Sequence, residues 1–76
     1  MDFQTKIALL KQFEKPCFQI CAYLVGDHSV ACQTAEQVLT ELFATPRFWD
    51  GDEEVRKGIL KRIATRHSLQ QMSVAG

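Results

Sequence analysis

Two groups of residues in this chain have types and spacings suited to chemistry. The first is Cys17, Cys21, His28 and Cys32. Thiolate and imidazole are zinc ligands, but zinc sites of this class set a close cysteine pair at a turn. Cys17 and Cys21, four apart, instead continue an apolar stripe with Phe13, Ile20 and Leu24. A buried cysteine behaves as a small hydrophobe, so these thiols are expected in a core, with no metal and no cofactor. The second group is the charged run from Asp50 to His67. Asp50, Asp52, Glu53 and Glu54 come first, and Arg56, Lys57, Lys61, Arg62, Arg66 and His67 follow. Lys57, Lys61, Arg62 and Arg66 are expected to form a basic face for phosphates, with Trp49 beside it to stack on an exposed base. The same order also complements a helix macrodipole, acids leading and bases trailing, and that plainer reading stays open.

Catalytic signatures are not evident. The chain has no glycine-rich phosphate loop, no His-Glu-x-x-His and no nucleophile elbow. His28, near a helix start, and His67, among bases near a helix end, read as surface residues. The four acids lack the spacing of a calcium loop. The chain is therefore expected not to be an enzyme.

Composition narrows the classes further. With 76 residues the chain is expected to be one domain, 1–76, and 46% hydrophobic residues suffice for a packed core. Nine basic and nine acidic residues cancel to a formal net charge of zero. There is thus no global positive field, and any nucleic-acid contact is expected to be local or assisted by a partner. An odd count of three cysteines argues against a disulfide framework and for free thiols in a reducing compartment. No signal-peptide pattern opens the chain and no apolar run is long enough to cross a bilayer. The expectation is a cytoplasmic protein with no membrane partner.

The elements that position these residues follow from period and punctuation. Phe3, Ile7 and Leu10 share one helical face, and Phe13, Cys17, Ile20 and Leu24 share another, which predicts a first helix over 2–25 that kinks or breaks near Pro16. Gly26 is placed to cap it. Asp27 or Ser29 is placed to cap a second helix over 29–44, whose stripe is Ala31, Ala35, Val38 and Leu42, widened by Leu39 and Phe43. Pro46-Arg47-Phe48-Trp49 reads as a connection whose aromatics plug the end of the core. Asp50 or Asp52 is placed to cap a third helix over 52–70, with Val55, Ile59 and Ile63 inward and Leu60 and Ala64 beside them. Residues 71–76 are expected to fray. The predicted fold is an all-α bundle of three to four helices with short antiparallel connections.

The order of these features resembles region 2 of the sigma-70 family of bacterial transcription initiation factors, of the small extracytoplasmic-function type, over about residues 7–70. Tyr23-Leu24-Val25-Gly26-Asp27 stands where that family has a Leu-Leu-Gly-Asp-like turn. Residues 31–39, Ala-Cys-Gln-Thr-Ala-Glu-Gln-Val-Leu, stand where it has an Ala-Glu-Asp-x-x-Gln-x-x-Phe-like helix. Residues 59–66, Ile-Leu-Lys-Arg-Ile-Ala-Thr-Arg, stand where it has a Trp-Leu-x-x-Ile-Ala-x-Asn-like helix. Phe13 and Pro16 match an aromatic and a proline common in its first helix. The departures fall on functional positions: Cys32 and Gln33 replace an acidic pair, Ile59 a tryptophan and Arg66 an asparagine. The resemblance includes no counterpart of the family's region 4 helix-turn-helix domain. It implies that Gln33, Glu36, Gln37 and Glu41 face core RNA polymerase, on its clamp helices. It implies that Lys57, Lys61, Arg62 and Arg66 face promoter DNA near the melted region, in complex with polymerase. A homodimer or a second sigma-like subunit is a further partner to weigh. The competing expectation is a helical protein-interaction module or small dimeric adaptor without DNA contact, marked by an exposed apolar patch of Phe48 and Trp49 with Phe18 or Tyr23.

Overall fold

Four helices form in the order α1 (Phe3–Val25), α2 (His28–Phe43), α3 (Pro46–Asp50) and α4 (Glu53–Ala75), with no strand among the described residues. The computed structural model describes the backbone of residues 1–75 and the side chains of residues 1–72. α4 stays helical through Ala75, five residues past its expected end at 70 and through most of the segment expected to fray; Gly76 lies outside the described residues.

Each long helix begins on an aspartate. Asp2 accepts from the Thr5 N–H at 2.7 Å, Asp27 from the Val30 N–H at 2.9 Å, and Asp52 from the Val55 N–H at 2.9 Å. Each cap satisfies one of the first-turn donors that have no partner within the helix. Between α1 and α2 the chain reverses through Gly26, whose φ of +80° is the left-handed conformation that only glycine takes without penalty.

α1 runs unbroken through Pro16, so no break divides it. Proline deprives the Gln12 carbonyl of its usual helical donor. The helix persists because Phe13, Cys17 and Cys21, one turn apart, are all buried and hold it on both sides of the proline. Connection 46–49 is a short helix, not a loop. Pro46 starts it, as suits a residue with fixed φ and no N–H to satisfy.

α1 and α2 are antiparallel. Phe3 meets Phe43 with ring centroids 5.9 Å apart, while Phe18 meets His28 at 5.3 Å. α4 packs against both, and α3 closes one end. The core takes Phe13, Cys17 and Cys21 from α1, Ala31, Ala35, Val38 and Leu42 from α2, Phe48 from α3, and Ile59, Leu60, Ile63 and Ala64 from α4. Alanines and cysteines fill much of the α1–α2 seam, so these helices approach closely enough for Cys17 Sγ to lie 3.7 Å from the Ala35 carbonyl oxygen. Burial, and secondarily the neighbouring Cys21, pushes the Cys17 thiol up to about 12.

Candidate binding faces

Burial of Ala31, Ala35, Val38 and Leu42 turns the opposite side of α2 to solvent. Gln33, Glu36, Gln37 and Glu41, at helical neighbour spacing, lie there together, lining one shallow depression with Thr40 and Ala44. The four predicted partner-facing residues therefore share a single surface. Gln33, Glu36 and Gln37 are exposed, and Glu41 is half-buried.

Glu41 is bound from across the bundle. Its carboxylate pairs with Arg66, and Nε2 of His67 lies 2.8 Å from its Oε1. The hydrogen bond with His67, followed by that with Arg66, holds the Glu41 carboxyl below its ordinary value. Glu41 thus ties α2 to α4 at the rim of the α2 face, and Arg66 has a protein carboxylate where a phosphate was expected.

The predicted basic face divides. Lys57 and Lys61 border a trough between α1 and α4. Arg62 lies beside Arg47, Val55, Gly58 and Ile59, and Arg66 turns toward α2. Helical geometry explains the split. Lys57 and Lys61 are separated by one turn, as are Arg62 and Arg66, but at about 100° per residue the two pairs point roughly 140° apart. Lys57 Nζ also lies 3.7 Å from Glu53 Oε1, in a pair with both side chains exposed. Among the described residues, Lys61 and Arg62 are the members of this set without an ion pair. The macrodipole reading holds at one end only. Glu53 and Glu54 occupy the first turn, but α4 continues well past the bases, whose last turn is free of cations.

Trp49 is committed to the fold. Its indole N–H donates to the Phe43 carbonyl at 2.9 Å, and its ring meets Phe43 and Phe48 edge to face, at 5.8 and 4.9 Å. Lys6 Nζ sits 5.2 Å from the ring centroid. The expected exposed patch does not form either, because Phe48 is fully buried against Phe13 at 5.3 Å. Tyr23, by contrast, is 87% exposed.

The soft donors separate. Cys17 and Cys21 lie in the core, whereas exposed Cys32 has Sγ 3.7 Å from His28 Nε2. No group of three or more metal-binding side chains gathers among the described residues. No described helix is long and apolar enough to cross a membrane.

Sequence reasoning missed Arg56, which it grouped with the surface bases. Its Nε donates to the Phe48 carbonyl at 3.0 Å and its Nη2 to the Trp49 carbonyl at 3.2 Å, fastening the end of α3 to α4. No spacing rule signals that contact. Compared with protein-family models, with curated proteins and with solved structures, the chain matches none.

Proposed function

We propose that this chain is a sigma-region-2-like module of bacterial transcription initiation that docks on core RNA polymerase through the outer face of α2. The observation carrying the reading is the gathering of Gln33, Glu36, Gln37 and Glu41 on one solvent-facing surface, with nothing apolar and large among them. Polar residues that the core does not need, gathered on one face of a rigid helix, supply groups a partner can recognise, with the Glu41–Arg66–His67 contacts fixing one edge. DNA contact falls to Lys61 and Arg62, the cations of this set without an ion pair, which lie about 100° apart around α4 and so meet separate phosphates, while Trp49 and Arg66 serve the fold. Two cations supply little affinity by themselves, in keeping with a neutral chain that reaches promoter DNA only while polymerase holds it.

The test is equilibrium binding of the labelled chain to core RNA polymerase. Glu36→Lys is expected to weaken binding by about tenfold or more, as reversal of an interface charge does. Lys61→Glu and Arg62→Glu are expected to leave that binding unchanged and to lower promoter-complex formation. Equal binding by the Glu36→Lys variant would overturn the docking face. Unchanged promoter complexes would remove the DNA role. The competing reading of an adaptor without DNA contact loses Phe48 to the core and keeps Tyr23, which is exposed.

A further inference from the structure

The trough between α1 and α4 lies away from the α2 face. Its floor is apolar, made by Phe13, Pro16 and Ile20 of α1 and Leu60 of α4. It continues past Ile20 along Tyr23 and Leu24, with Lys61 bordering both stretches. From Gln12 to Leu24 the α1 wall is about 18 Å long at 1.5 Å per residue, some three turns of helix. A trough of that length matches a helix laid along it better than a compact small molecule.

Charge selects the kind of helix. Lys57 and Lys61 rim the α4 wall, and the acid there, Glu53, is held only by a solvent-exposed pair with Lys57. Such pairs contribute little and exchange readily, so a docking carboxylate can take over Lys57 and also meet Lys61. Gln12, Gln19 and Thr65 add neutral polar groups to the edges. Tyr23 offers an amphipathic ring of the type enriched at interface anchors.

We infer that the α1–α4 trough is a second docking site, which takes an amphipathic helix of a partner protein with an apolar stripe flanked by acidic residues. The site does not depend on polymerase binding at α2, and it shares only Lys61 with the proposed DNA contacts.

The experiment is an amide NMR titration of the full chain with two synthetic four-turn peptides. Both carry leucines at helical spacing. One has glutamates flanking the stripe, and its twin has lysines in their place. The glutamate peptide is expected to shift amides over 12–24 and 57–65, to leave 33–41 unmoved, and to bind about tenfold tighter than its twin at low salt. Lys61→Glu, at an exposed position, is expected to reverse the preference between the twins. Tyr23→Ser is expected to weaken both peptides severalfold without changing helix content. Equal binding of the twins overturns the inference, as does binding elsewhere or no binding at millimolar peptide. Shifts of the trough amides with protein concentration alone also overturn it, by making the occupant a second copy of this chain.

Discussion

Cysteine shows how environment, more than residue type, decides reactivity here. Cys17 and Cys21 are fully buried, and the Cys17 thiol is raised to about 12, so its nucleophilic thiolate is suppressed. Cys32 stands exposed at the start of α2. A thiol reagent in excess is expected to modify one cysteine quickly in the native state and all three once denaturant is added. Fast native labelling of Cys17 or Cys21 would contradict the packed seam. The burial of both was legible in the sequence, because they continue the stripe of Phe13, Ile20 and Leu24. The commitment of Trp49 was less legible. Its aromatic neighbours suggest core, but the carbonyl of Phe43 that holds its N–H comes from the far side of a turn. No pattern of side-chain types encodes such a backbone contact.

Two glycines of the α3–α4 hairpin give opposite tests of how the elements join. A Cβ on Gly51 would lie 2.5 Å from Val55 Cγ1 and 3.2 Å from the Arg47 carbonyl oxygen. Valine is stiff at χ1 in a helix, so Gly51→Ala is expected to cost about 1–3 kcal/mol. Gly58 has nothing within 4 Å of an added Cβ. Gly58→Ala is expected to stabilise by about 0.5–1 kcal/mol through the unfolded chain's lost freedom. Urea unfolding of the two variants reads both signs. The α2–α4 tie gives a pH dependence. Glu41's carboxyl is held below its ordinary value near 4.5, so the tie contributes above that value and fades as pH falls through the lower, folded value. Glu41→Gln is expected to cost below about 1 kcal/mol near neutrality, since the side chain is about a third exposed. The difference from the parent is expected to shrink as the pH drops below the ordinary carboxylate range. A constant difference would exclude the carboxylate's charge as its source. Helix spacing revealed α1, α2 and most of α4. It missed α3, a single turn too short to show a period, although Pro46 at its first position was a signal. It also ended α4 early, because Gln70 and Gln71 interrupt the apolar stripe.

At the scale of the whole molecule, a neutral chain presents two dissimilar surfaces: the polar outer face of α2 and the apolar, cation-rimmed trough between α1 and α4. The α2 face was expected only from the resemblance, and its residues lie opposite the buried stripe of Ala31, Ala35, Val38 and Leu42. The trough was not legible, since Pro16, Ile20 and Leu60 come from different parts of the chain and meet only after folding. Polymerase docking on the α2 face is a proposal that site-specific photo-crosslinking reads at the residue level. A photoreactive amino acid is placed at Gln37 in one sample and at Tyr23, in the trough, in another, each mixed with core RNA polymerase. A crosslink is expected from position 37 to the clamp helices and none from position 23 to that element. No crosslink from position 37, or the same clamp product from both positions, would rule out docking through the α2 face.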